Sequence, residues 1–146
     1  MQHRIILGSM TLAVILAQIG PSVAAGAVAL GLPSDVAQLG VSVGDWVGAP
    51  TMDEAKSNAM AKCKTAPNVS LQAASLCKVV ATFQNQCVAL AIDPRAGTPG
   101  FGWAIADTSQ AASQQAMANC QDSDGPAFKG GCQPDTNPPL CDGSAK

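Results

Sequence analysis

One spacing repeats along this chain. Trp46, Thr51, Ala55, Ala59-Met60-Ala61 and Cys63 recur as Trp103, Thr108, Ala112, Ala116-Met117-Ala118 and Cys120, all at an offset of 57. Matches of Ala to Ala are cheap, but Trp, Thr, Met and Cys agreeing at one offset are not. Upstream, Val28-Ala29-Leu30-Gly31-Leu32 matches Val88-Ala89-Leu90-Ala91-Ile92 at an offset of 60, which predicts about three extra residues in the connecting loop of the first copy. The expectation is a tandem duplication, with one unit over about 27–83 and the second over about 87–141.

Both units read as β-β-α. A β-branched and Leu-rich run (27–32; 87–93) predicts a strand. A turn follows at Pro33-Ser34-Asp35 or Pro94-Arg95-Ala96-Gly97, and then a second strand (39–47; 101–106) that pairs with the first as a hairpin. Thr51 and Glu54 have the spacing of a capping box, which opens a helix by satisfying its first amides; Thr108 keeps the cap, with Ala111 in place of the Glu. The helices carry Met52, Ala55, Ala59, Met60 and Cys63 on one face, and Ala112, Ala116, Met117 and Cys120 on the other copy's face. Alanine there lets a helix lie close on a sheet, so the stripe is read as core. A third strand is expected at 78–83. Its counterpart at 133–140 contains Pro134, Pro138 and Pro139, which lack ladder donors, so that strand is expected to be lost or reduced to a loop. The predicted fold class is α+β, an antiparallel sheet packed by two Ala-rich helices and stabilised by disulfides.

The six cysteines, Cys63, Cys77, Cys87, Cys120, Cys132 and Cys141, contain no C-x-x-C pair, the spacing that zinc sites and redox centres favour. Three disulfides are the expected state. In each unit one cysteine closes the helix and another opens the next segment, so Cys63–Cys77 and Cys120–Cys132 form equivalent pairs and Cys87–Cys141 remains. Bridges closing loops of this length contribute roughly 3 kcal/mol each by the chain-entropy estimate.

Residues 1–25 read as a secretory signal peptide: Arg4, an apolar run from Ile5 to Ile19, then Ser22-Val23-Ala24-Ala25. The run is shorter than the ~20 residues of a membrane span, and no cysteine stands near the cleavage site to take a lipid. No stable membrane anchor is expected after cleavage. The product over 26–146 is expected to be periplasmic or secreted.

Removing Arg4 from the eight Lys and Arg leaves seven against ten Asp and Glu, and removing His3 leaves no histidine. A surplus or run of cations, which nucleic-acid binding requires, is missing. The inventory is also poor for acid–base chemistry near neutral pH, which most often recruits histidine. No cofactor and no metal site are expected. Asp122-Ser123-Asp124-Gly125 has part of a calcium-loop pattern without its spaced ligands and closing Glu.

The Gly/Trp strand, the T-x-x-x-A-x-x-x-A-x-A-x-C helix and the Cys77-Lys78-Val79-Val80 strand resemble the DUF4189 family of small exported bacterial domains. Trp46 and Thr51 to Cys63 carry the likeness, with Gly100-Phe101-Gly102-Trp103 and Thr108 to Cys120 as a second copy; the Pro-rich final segment departs from it. The resemblance implies a bacterial envelope or secreted protein and brings no catalytic residues with it.

Three residues stand out as a candidate binding face. Trp46 and Trp103 occupy equivalent sequence offsets and serve either as repeated packing positions or as a paired aromatic face for sugars or a protein. Arg95, the one arginine beyond the leader, either tops a solvated turn or recognises a carboxylate or an interface. The expected function is a non-enzymatic, inhibitor- or immunity-like binding module with a protein partner. The alternatives are a carboxylate-dependent envelope hydrolase using Asp45, Asp53, Glu54 or Asp107, and a secreted host-directed factor.

Overall fold

The structure is a computed structural model describing residues 24–146. The expected leader therefore lies outside the described residues except for its last two, and Ala25 already belongs to the first strand. Strand β1 (Ala25–Gly31) is fully buried and pairs antiparallel with β2 (Ser42–Ala49) on one side and β3 (Lys78–Phe83) on the other. The second strand starts later than the sequence suggests. Asp35 accepts from the Gln38 N–H (3.0 Å) and caps a single turn, α1 (Val36–Leu39), which absorbs Leu39 and ends at Gly40, where φ is +70°.

Helix α2 (Met52–Lys64) begins where expected, with the Glu54 N–H donating to Thr51 Oγ1 at 3.2 Å. A short helix, α3 (Leu71–Ser75), is capped by Ser70 and leads into β3. The second half repeats the order: β4 (Cys87–Ile92), β5 (Phe101–Ala106) and α4 (Ser109–Asp124), capped by Thr108. The strands divide between two sheets, ordered β2-β1-β3 and β5-β4-β6, so each hairpin–helix unit owns a sheet.

The third strand of the second sheet survives as two fragments, β6 (Gln133–Pro134) and β7 (Leu140–Cys141), both paired with β4. The prolines explain the gap between them, because a residue without an N–H cannot continue the ladder. All three disulfides join the expected partners: Cys63–Cys77, Cys120–Cys132 and Cys87–Cys141. The last fastens β7 to β4 directly across the ladder.

Strand alternation sorts the core by side-chain size. Ala27 and Ala29 face Ala55, Ala59 and Cys63 of α2, whereas Val28 and Leu30 point the other way. Likewise Ala89 and Ala91 meet Ala112, Ala116 and Cys120 of α4, while Val88 joins Val28, Leu30 and Phe83 between the sheets. The result is four layers, helix on sheet on sheet on helix, with small residues under the helices and branched and aromatic ones between the sheets. Gly44 and Gly102 set the close helix approach. A Cβ at Gly44 would run into the backbone of Ala59 and Cys63, and one at Gly102 into that of Ala116 and Cys120.

These contacts also give the positions at which the two halves correspond. Gly44 lies opposite Ala29 and Gly102 opposite Ala91, so β2 and β5 are related by 58 positions and β1 and β4 by 62, whereas the helices keep 57. The sequence offset of 60 for the first strands is thereby corrected. A one-residue slip moves a side chain to the opposite face. Trp103 takes the place of Asp45, while Trp46 matches Ala104; the two tryptophans are not equivalent in the fold.

Candidate functional site

Strand β5 is an edge strand, and the Asp93 N–H to Gly100 O bond (2.9 Å) that closes its hairpin fixes its hydrogen-bond parity. Gly102, Ala104 and Ala106 direct their backbone groups to β4, so those of Phe101, Trp103 and Ile105 point outward. Helix α4 covers part of this row from positions four apart on one face. Ser123 Oγ lies 2.9 Å from the Phe101 N–H and 2.8 Å from its carbonyl, and Asn119 Nδ2 donates to the Trp103 carbonyl at 2.8 Å. By the same alternation the Trp103 N–H and both backbone groups of Ile105 point outward, on a side that no strand covers among the described residues. An edge covered at one end and open at the other is the template on which an extended segment adds a strand.

Beside that edge lies a groove of about 700 Å³, lined by Leu32, Ala81, Phe101, Trp103, Ile105 and Gln115 among others, with no charged side chain. Trp103 is half-buried, packing its inner part against the cluster between the sheets. Apolar walls, a few amide and hydroxyl groups and an open strand edge suit an uncharged extended chain.

The first unit builds the matching place differently. Lys62, which corresponds to Asn119, donates to the outward carbonyl of Asp45 (3.4 Å) and also forms an ion pair with the Asp45 carboxylate. A smaller groove of about 250 Å³ lies there, lined by Val43, Asp45, Lys62, Leu90, Asp135 and Asn137. Trp46 stands apart from both grooves, 40% exposed on β2.

Arg95 belongs to a third place. Its backbone N–H and its Nε each donate to Asp93 at 2.9 Å, and Nη2 completes the ion pair. The guanidinium also donates to the Phe128 carbonyl, lies 5.8 Å from the Phe128 ring centroid and stands 3.8 Å from Asp124. The Asp93 and Asp124 side chains are both fully buried. The guanidinium hydrogen bonds hold the Asp93 carboxyl down to about 2, against the opposing effect of burial. Burial, reinforced by the neighbouring Asp93 charge, pushes Asp124 up. A Cβ at Gly100 would meet Asp124 and Asp93 and one at Gly131 the ends of the Arg95 and Asp93 side chains, so the backbone at both glycines lies close against the cluster.

From sequence alone Arg95 stands on a turn with no visible partner, and Asp124 falls within a calcium-like stretch. Asp122 of that stretch is exposed, whereas Asp124 ends α4 and points inward. Among the described residues, no group of three or more His, Cys, Asp or Glu is arranged to hold a metal ion. The remaining carboxylates are dispersed: Asp53 pairs with Lys56, and Asp107 accepts from Gln86 (3.1 Å) at the surface. Asp142 was not singled out by any sequence pattern. It is buried, accepts from the Gly48 N–H (3.0 Å) and ties the chain after β7 to the end of β2.

These features define a small, disulfide-clamped α+β domain with an apolar groove beside the β5 edge. The chain belongs to the family described as Domain of unknown function (DUF4189), which it matches over residues 25–135. No curated protein and no solved structure matches it. Three disulfides fit an oxidising compartment outside the cytoplasm, and among the described residues no helix is long and apolar enough to cross a membrane.

Proposed function

We propose that the chain is an exported, non-enzymatic binding module of the bacterial envelope, taken to the periplasm or beyond by a cleaved leader. In this reading it captures a protein partner along the β5 groove, in the manner of an inhibitor or immunity protein. The observation that carries the reading is the conjunction at β5 of an uncharged apolar groove with outward backbone groups that α4 leaves uncovered. A partner presenting an extended apolar segment would gain ladder hydrogen bonds and bury Trp103, and aromatic anchors of that kind dominate binding energy at interfaces.

The test is paired capture from envelope extract, using oxidised wild type, Trp103→Ala and Trp46→Ala. The reading expects a protein retained by wild type and Trp46→Ala and lost by Trp103→Ala. Retention by all three, or nothing above background with wild type, contradicts it. Fractionation into periplasm and medium separates an envelope role from a host-directed one.

The hydrolase alternative has less support. Asp45 shares the smaller groove with Asp135, but its carboxylate is engaged by Lys62, and Asp107 is held by Gln86. Turnover of peptidoglycan that disappears in Asp45→Asn would restore it.

A further inference from the structure

We propose that Asp93, Asp124 and Arg95 form a proton-held clasp: one proton kept on the buried Asp124 carboxyl fastens the β4–β5 turn to the C-terminal end of α4, and its loss loosens the 125–131 segment. The argument is one of charge in a closed space. Both carboxyl side chains are inaccessible to solvent, and a single guanidinium serves them. Two carboxylates and one guanidinium would leave an uncompensated buried negative charge, which is far more costly than protonating one carboxyl.

Geometry selects the carboxyl that holds the proton. Asp93 receives the backbone N–H, Nε and Nη2 of Arg95, three donors that favour its ionised form. Asp124 receives less. Its nearest guanidinium nitrogen is 3.8 Å away, its Oδ1 is buried without a hydrogen-bond partner, and it ends a helix whose terminal carbonyls already repel negative charge. With Asp124 neutral, the remaining charges of the cluster, Asp93 and Arg95, are paired with each other. The raised affinity of Asp124 for its proton agrees with this assignment.

Among the described residues, no other titratable group forms an ion pair within the cluster. Asp122 on α4 and Lys129 on the following segment are exposed, Cys132 packs its sulfur 3.5 Å from Asp124 Oδ2 but is locked in a disulfide, and Gly100, just before β5, brings no side chain to the site. The clasp joins three pieces of chain. Asp93 and Arg95 lie in the hairpin turn, Asp124 ends the helix, and the Phe128 carbonyl of the covering segment accepts from Arg95.

The sign follows from proton linkage. A carboxyl whose folded value is raised keeps its proton in the fold after the unfolded chain has released it, so stability falls as pH rises from the ordinary aspartate value of 3.8 toward the folded value. Thermal and urea unfolding of the oxidised protein across this range tests the clasp. The folding constant of wild type is expected to fall by up to about tenfold per pH unit within that window, and Asp124→Asn, whose amide cannot ionise, should lose this slope. A slope that persists unchanged in Asp124→Asn overturns the proposal. Carboxyl-carbon NMR of the wild type decides the matter independently of whether that variant folds. An Asp124 resonance that titrates well above the ordinary aspartate range supports the clasp, and one that titrates at or below it overturns it.

Discussion

The edges of the two hairpin–helix units share a backbone and differ in chemistry. In both, the helix lies against a glycine of the second strand, and a side chain at the same helix position reaches over to an outward carbonyl: Lys62 to Asp45 and Asn119 to Trp103. In the first unit the residue beside that glycine is an aspartate paired with the lysine, and the groove is small and charged. In the second it is a tryptophan, and the groove is large and uncharged. The scaffold contact is retained on both sides, while the large uncharged groove is present on one. Lysine and an inward-facing charge are devices by which proteins blunt strand edges, so the first edge reads as protected and the second as open.

This comparison can be broken at the disulfides, where the largest effects lie. Replacing Cys87 and Cys141 by Ser opens a loop of 54 residues and should cost about 4 kcal/mol. Removing Cys63–Cys77 or Cys120–Cys132, with separations of 14 and 12, should cost about 3 kcal/mol each, nearly equally in the two units. Urea unfolding measures all three, and a strongly unequal cost for the last two would show that the units are not held in the same way.

The helix contact gives the next test. Gly44→Ala and Gly102→Ala each force a methyl into helix backbone and should lose about 1–3 kcal/mol. A neutral effect at either position would break the equivalence of the two contacts. Below these come the edge caps. Asn119→Ala leaves the Trp103 carbonyl to solvent or to an incoming strand and should cost about 1 kcal/mol. Lys62→Ala removes an ion pair whose lysine is half exposed and should cost less than about 1 kcal/mol.

The hairpin turn of the second unit also carries an acid-sensitive contact. The ion pair with Arg95 holds Asp93 at about 2, below its unfolded value, so its contribution is present above the ordinary aspartate range and is lost as pH falls toward 2. Asp93→Asn should flatten that acid limb of the unfolding midpoint while leaving urea unfolding of the Cys63–Cys77 variant pair additive with it.

Much of the fold was legible because it is local. The Thr51 and Thr108 caps, the Ala–Cys helix stripes, the β5 bounds and the disulfide partners all follow from spacing within a unit. The division into two sheets was not, because it depends on which faces of β1 and β4 oppose each other across the molecule. The false equivalence of Trp46 and Trp103 has a similar origin: the units differ by one residue between strand and helix, and sequence offsets cannot register a slip that flips a face. The Asp93–Asp124 cluster joins residues 31 positions apart with no periodic signal between them, so only the folded chain brings it together. The groove was legible in part, through Trp103, while Leu32 and Ala81 reach it from the other unit.

The central claim, that the β5 groove and not its counterpart engages the partner, is tested most directly by a photo-crosslinking side chain placed in living cells at Gln115 or at Thr65. Both positions are exposed, and they line the apolar and the charged groove respectively. The account predicts a discrete crosslinked species from Gln115 that disappears in a Trp103→Ala background, with none from Thr65. A crosslink from Thr65 alone, or equal products from both positions, would contradict it.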